Sequence, residues 1–416
     1  MKTESTQVVV VGAGPSGSTV SALLQAQGVD VIVIEKAEFP RFSIGESLLP
    51  ACMEVVEQAG MTQAVAEHGF QFKDGAAFRR NGVYTQFNFT DKFTPGPGTT
   101  YQVQRGHFDK VLADSAAQQG VEIRYQHELI DLAFVGERSL LTVKDAHGEI
   151  YQIDAAYVLD ASGFGRVLPR MLDLEEPSCL PPRKAIFTHI VDNIDGQSIH
   201  YDRDKILISV HPTNHDVWYW LIPFSNGVCS LGVVGEPDFF ADYSGDKLDV
   251  LKQIVNQEPG LEQLLANAEY PNPAGELGGY SANVKHLATA HYALLGNAGE
   301  FLDPVFSSGV TIAMKSAQFA AQCVVKQLEG ELVDWQKEYA EPLMVGVNTF
   351  RTYVEGWYKG TLQDVIFHQD PNPRIKAMIS SILAGYAWDT TNPYVKNSQQ
   401  RLNTLAEVIR AEKTHA

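Results

Sequence analysis

The sequence predicts an α/β fold: a parallel sheet interrupted by β-rich insertions, with a helical region at its C-terminal end. Three observations predict it. The chain opens on an apolar strand, a glycine turn and a small-residue helix, and a second apolar strand follows at once. Two later stretches, Ala156-Tyr157-Val158-Leu159-Asp160-Ala161-Ser162-Gly163 and Tyr292-Ala293-Leu294-Leu295-Gly296, again run a buried strand into a glycine turn. The segments between them are rich in alternating and aromatic residues, and residues 332–416 read as several helices.

The first unit is Val8-Val9-Val10-Val11-Gly12-Ala13-Gly14-Pro15-Ser16-Gly17. Four consecutive valines suit a strand buried on both faces of a parallel sheet. Gly12 permits a tight turn, Gly14 lets main chain approach a pyrophosphate, and Gly17 lets helix and strand pack closely. The helix start at Ser16 then offers unpaired N–H groups to phosphate. The second strand, Val31-Ile32-Val33-Ile34, ends on Glu35, where a dinucleotide fold places its ribose-binding acid. An acid there suits a free ribose hydroxyl, hence FAD or NAD rather than NADP. Glycines cluster in ordinary turns too, but strand, turn, helix, strand and acid in this order are a specific signal.

Next comes Phe39-Pro40-Arg41-Phe42-Ser43-Ile44-Gly45-Glu46-Ser47-Leu48-Leu49-Pro50, a shaped loop by its Pro40 and Gly45, with Ser47 placed to cap a helix from about Leu49 to Gln58. An ordinary connector has the same composition. Asn81-Gly82 between alternating segments at 76–80 and 83–89 predicts a hairpin. Periodicity predicts a helix over 108–117, strands near 121–126, 129–135, 139–145 and 149–153, a β-rich stretch over 184–235, helix over 246–268, and a helix of about 312–328. The expected organisation is a discontinuous nucleotide domain (1–70, 105–170, 285–330), a β-rich substrate domain (71–104, 171–284) and a helical cap (331–416).

Composition excludes several classes. A formal charge of −18 argues against general nucleic-acid binding, and no apolar run approaches membrane-spanning length. Cys52, Cys179, Cys229 and Cys323 are scattered, with neither metal-ligand spacing nor a disulfide framework. With a polar start that does not read as a signal peptide, this points to a reducing cytoplasm and to no metal site.

Gly12/Gly14/Gly17 with Glu35, Asp160-Ala161-Ser162-Gly163, and Gly296-Asn297 with Asp303-Pro304 together resemble the glutathione-reductase-type FAD fold of the aromatic hydroxylases, over roughly residues 5–330. Two further motifs narrow the resemblance. Trp218-Tyr219-Trp220-Leu221-Ile222-Pro223 is similar to the Trp-x-Trp-x-Ile-Pro motif of the flavin-dependent halogenases, and Lys73 in Phe72-Lys73-Asp74-Gly75-Ala76 stands where their catalytic lysine does. Taken singly, two tryptophans in a strand are core packing, and a lone lysine beside an aspartate is solvated surface. The segment Arg41 to Ser47, with Ile44, Gly45 and Glu46, resembles the strap those enzymes run between flavin and substrate chamber.

The resemblance implies FAD contacts at Arg105, at Asp160 and Gly163, at Gly296, and at Asp303, Pro304, Gly309 and Val310. Asp303 could equally cap a helix ahead of Pro304, and Arg105 could be a surface charge. The tryptophan halogenases carry a glutamate before the Ser-Thr-Gly of the halide loop. Here Phe306 stands there, before Ser307-Ser308-Gly309, as in the branch acting on phenols and carrier-tethered pyrroles. Ser308 and Gly309 would bind chloride or bromide through main-chain N–H groups. Reduced FAD, O2 and halide would give hypohalous acid, which Lys73 would pass to the ring. Trp218, Trp220, Pro223 and Phe306 would line the passage or keep substrate off the flavin. Two partners are implied: a separate flavin reductase, since there is no second dinucleotide motif, and, from the resemblance, an acyl carrier protein. Arg79-Arg80, Lys359 and Arg374/Lys376 are candidate docking charges for it. Aromatic monooxygenases and geranylgeranyl-reductase-like enzymes share the fold but have no use for Lys73 with the tryptophan motif.

Overall fold

The computed structural model describes residues 2–194 and 201–415. Residues 195–200 of the β-rich stretch, and residues 1 and 416, lie outside them.

Two seven-stranded sheets organise the chain. In the first, Thr3–Val11 is central, flanked in parallel by Val31–Glu35 and Ile150–Asp160, with Glu122–Tyr125 beyond Val31–Glu35. Tyr292–Leu294 pairs in parallel with the far end of Ile150–Asp160. The periodicity suggests two strands near 149–153 and 156–160. They are one continuous strand, whose first half closes an antiparallel meander with Arg138–Lys144 and Glu128–Val135 and whose second half enters the parallel core. Val8, Val9 and Val10 are wholly buried, as strands covered on both faces require.

The second sheet runs in the order Gly275–Gly278, Lys184–Val191, Val228–Gly235, Trp218–Pro223, Lys205–Val210, Gly75–Arg80, Val83–Asn88. It is antiparallel except where Lys205–Val210 meets Gly75–Arg80. The Asn81-Gly82 hairpin forms as the turn chemistry predicts, with both residues at positive φ. Trp218, Trp220 and Ile222 share one face of their strand and join the large core between the sheets. Tyr219 and Leu221 point the other way, onto helices Lys247–Val255 and Pro259–Leu264. These two helices replace the single expected stretch because Glu258-Pro259 starts a new one.

Other boundaries also move. The long helix starts at Ser308, four residues earlier than its apolar period suggests, because Ser307 adopts a left-handed conformation (φ 55°) that ends the preceding turn. The helix after the strap begins only at Cys52, and Ser47 does not cap it. Instead the strap zips onto Thr100–Gln102 and the residue after it, with Leu48 N–H donating to Tyr101 and Val103 N–H to Glu46. The C-terminal helices, Glu341–Tyr358 the longest of those before residue 398, pack against the Ser308–Leu328 helix and the loop ahead of it.

Candidate functional site

A cavity of about 980 Å3 lies between the sheets. Its wall begins at the first turn. Gly12 has φ +99°, and a Cβ there would lie 2.7 Å from the Ala161 carbonyl oxygen; one on Gly17 would lie 1.9 Å from the Gly12 oxygen. No other residue fits either position. Gly14, by contrast, is not blocked: the nearest atoms to its missing Cβ are the Arg41 guanidinium at 3.4 Å and the Asp109 carboxylate at 4.0 Å, both at ordinary contact distance. Gly12, Gly14, Ser16 and Glu35 line the cavity. Glu35 accepts from the N–H groups of Ala13 and Ala37, both at 2.8 Å, so it braces the turn as well as facing the ligand. An open cradle at a helix start, next to an acid, suits a dinucleotide, and these residues are fitted to hold FAD.

The strap crosses this cavity and is held by charge. Arg105 pairs in two-pronged fashion with the fully buried Asp109 (2.8 and 3.1 Å) and donates to the Ile44 carbonyl (2.6 Å); Arg41 reaches the same carboxylate at 3.3 Å. Arg105 is therefore not a surface charge. Arg41, Ile44, Gly45, Glu46, Ser47 and Arg105 all lie on the cavity wall. Glu46, almost fully buried, accepts from His189 Nε2 at 2.7 Å. Burial alone would lower the His189 pKa, but the Glu46 hydrogen bond and charge outweigh it and the net shift is upward.

Several expected contacts lie behind the wall. Asp160 is wholly buried and spends both oxygens on the Ser162 and Leu168 N–H groups, which shapes the turn that brings Gly163 to the cavity. Gly17 and Gly296 act by close packing; a Cβ on Gly296 would meet Ala313 at 2.8 Å. Asp303 is also off the wall. It caps the short turn Pro304–Phe306 by accepting from Val305 N–H, and burial raises its pKa from 3.8 to about 6. Pro304, Gly309 and Val310 do line the cavity; the Ser308 side chain does not, although its N–H belongs to the open first turn of a 21-residue helix. Asn297, Ile206 and Phe164 line it without having been singled out by sequence reasoning. For Asn297 the signal was present, since it follows Gly296 in the third strand-to-turn stretch.

Trp218 and Trp220 line the cavity with ring centroids 6.0 Å apart. Their strand alternation puts both on the inner face, and Gly232 across the ladder leaves room for Trp220: a Cβ there would sit 2.2 Å from the indole. Pro223 and Phe306 are not on the wall. Pro223 has the outward parity of Tyr219 and Leu221, and Phe306 packs edge-on against Trp357.

Lys73 is 1% exposed. Its ammonium donates to Ser47 Oγ and to the Leu48 carbonyl, both at 2.7 Å, and lies over the Phe89 ring. Burial draws its pKa down from 10.5 to about 7, with nearby Cys52 opposing. The Cys52 thiol is itself pushed up to about 12 by burial and stays protonated. Asp74 does not pair with Lys73; it holds Lys205 at 2.8 Å. Lys73 lies off the cavity wall, and Ser47, which is on it, stands between the two. Of the candidate docking charges, Arg79 is buried near Glu258 and Arg80 lies over the Phe367 ring, so neither is a free surface cation. Among the described residues no group of three or more His, Cys, Asp or Glu side chains could hold a metal, and no helix is long and apolar enough to cross a membrane.

Comparison with known proteins identifies the family. Residues 5–223 match the family model described as FAD binding domain. A 1H-pyrrole-2-carbonyl-[peptidyl-carrier protein] chlorinase from Pseudomonas fluorescens is 28% identical over 97% of this chain and 93% of its own. Among solved structures, a flavoprotein/dehydrogenase from Cytophaga hutchinsonii superposes with a TM-score of 0.95 at 43% identity, covering 99% of this chain and all of that one. The myxobacterial chondrochloren halogenase, described as a new variant of FAD-dependent halogenases, gives 0.75 at 25% identity over 98% of this chain and 97% of that one. The chain belongs to the FAD-binding domain family and, within it, is a flavin-dependent halogenase.

Proposed function

We propose that this halogenase makes hypohalous acid at the FAD end of its cavity and moves the halogen through Lys73 to an electron-rich aromatic ring, a pyrrole on an acyl carrier protein or a phenol. The reading rests above all on Lys73: a lysine buried with no carboxylate partner among the described residues is costly to keep, and its free amine is available near neutral pH. The carrier-bound pyrrole is what the Pseudomonas fluorescens relative acts on by its name.

FAD, held at the Gly12–Gly17 turn, Glu35, the strap and the Pro304–Val310 segment, would supply the oxidising chemistry that converts halide to an electrophile, once a separate reductase has delivered it reduced. The chain's own residues do the rest. The N–H groups of Ser308 and Gly309, at the positive end of a long helix, hold the halide. Trp218 and Trp220 keep substrate from the FAD end. At Lys73 the amine attacks hypohalous acid, forming an N–X bond and releasing water. The ring then takes X, its proton goes to the nitrogen, and the amine is restored. Enclosure serves this chemistry because water and exposed side chains would consume the oxidant.

Lys73→Ala, with Lys73→Met as its better-filled counterpart, is expected to bind FAD normally and lose halogenated product by at least about a thousandfold, in the range seen when groups acting directly in bond-making are removed. Full product from either variant overturns the assignment. Offering a free pyrrole acid and its carrier-bound form, with chloride and then bromide, identifies the substrate. A bromine isotope doublet in the product marks halogen transfer, and added oxygen alone marks oxidation without it.

A further inference from the structure

The Glu341–Tyr358 helix ends on a side chain that touches two parts of the site at once. Trp218 Nε1–H donates to the Tyr358 hydroxyl oxygen at 3.1 Å, and that hydroxyl donates to Asp303 Oδ2 at 2.9 Å. The other Asp303 oxygen receives the Val305 N–H at 3.0 Å. The Arg183 guanidinium stacks 3.8 Å over the Tyr358 ring and is itself buried. One phenol thus joins the inner wall of the cavity to the segment that sets the start of the Ser308 helix. Asp303 fixes Pro304–Phe306, the left-handed Ser307 follows, and the next two N–H groups are those of Ser308 and Gly309. Trp218 is cavity wall, and among the described residues the Tyr358 hydroxyl alone holds its N–H.

Trp218 and Asp303 are buried, and Tyr358 is partly buried between them and Arg183, so the two groups it joins have little water to turn to when its hydrogen bonds are broken. Removing one partner of a buried pair leaves the other unsatisfied. Removing the hydroxyl therefore strands the indole N–H and takes one donor from the Asp303 carboxylate, beside which Arg183 and Tyr280 remain.

We propose that Tyr358 is a positioning residue that keeps the tryptophan wall and the halide-holding turn in one register, so that halide retention and containment of the oxidant are a single property of this chain. The proposal rests on the reading of Ser308 and Gly309 as the halide site. It does not rest on Lys73, because oxidant made at the FAD end is measurable whether or not it reaches the lysine.

The test is Tyr358→Phe in the full chain loaded with FAD. Phenylalanine keeps the ring, its stacking with Arg183 and its volume, and removes only the hydroxyl. Tyr353→Phe is the matched control: Tyr353 is on the same helix, wholly buried, and its hydroxyl has no hydrogen-bond partner among the described residues. Two quantities are read. One is the halide KM, followed as halide-dependent oxidant captured by an external thioether. The other is the share of consumed O2 recovered as halogenated product. Y358F is expected to raise the halide KM about fivefold or more and to shift oxidant from product to the external trap, with the rate of reduced-FAD oxidation in the absence of halide unchanged. Y353F is expected to leave both quantities at wild-type values. The proposal is overturned if Y358F changes neither quantity, if only one moves, or if Y353F reproduces both changes, which would mark general loosening of the helix. Full product from Lys73→Ala would remove the lysine reading and leave this result standing.

Discussion

At the dinucleotide end of the cavity the wall is largely main chain. Gly12, Gly14 and Gly163 are there because a side chain would block the turn or the ligand, and the groups offered are N–H. At the lysine corner the construction is reversed. Every contact of Lys73 comes from elsewhere in the chain: Ser47 and Leu48 from the strap, Thr100 from the strand opposite, Phe89 from beyond the hairpin. The first end is open, but its turn leaves no room for a Cβ at Gly12 or Gly17; the second is closed and depends on side-chain identity and on protonation. The contrast separates two kinds of failure, loss of the cofactor and loss of the transfer step.

The largest break is at the dinucleotide end. Gly17→Ala places a methyl 1.9 Å from the Gly12 oxygen, a main-chain atom that cannot yield without opening the turn. FAD affinity, read by fluorescence quenching, is expected to fall by two orders of magnitude or more, and the Lys73→Met protein to match wild type in the same titration. The next effect belongs to the lysine corner alone. If the free amine carries the halogen, single-turnover transfer rises about tenfold per pH unit below about 7 and levels off above it, because the charged form cannot attack. A rate that instead falls above pH 7 means that the ammonium, as a hydrogen-bond donor, does the work.

The smallest effect sharpens the boundary between the two ends. The Glu46–His189 pair fastens the strap to the second sheet, and the folded-state His189 pKa is raised. Such a pair stabilises fully below the unfolded histidine value and loses its contribution as pH rises through the folded one. Glu46→Gln is therefore expected to lower the melting temperature more at pH 6 than at pH 9, by no more than a few degrees.

The dinucleotide end was legible because its signals are local. Valines, glycines and Glu35 fall within one strand–turn–helix–strand, and the spacing carries the geometry. The lysine corner was not. Burial of Lys73 depends on the strap pairing with Tyr101 and Gln102 and on Asp74 turning to Lys205 across 131 residues, and periodicity records neither. Asp303 shows the cost of reading a motif without its neighbours: the residue is in the expected segment, yet it faces Val305 and Tyr358 rather than the cavity. Ser47 was expected to cap a helix because its position before an apolar run allows it; the competing lysine, 26 residues away, took the hydroxyl.

Behind the strap, the Ala51 N–H donates to the Ala384 carbonyl, and Gly385, at φ +97°, is pressed so close that a Cβ would come within 2.9 Å of Ala51 and 3.1 Å of Leu49. The strap is thus wedged from the rear by chain more than 300 residues away in sequence. A side chain added at Gly385 would therefore push on Ala51 and Leu49, so the seat of the strap can be disturbed by a change far away in sequence.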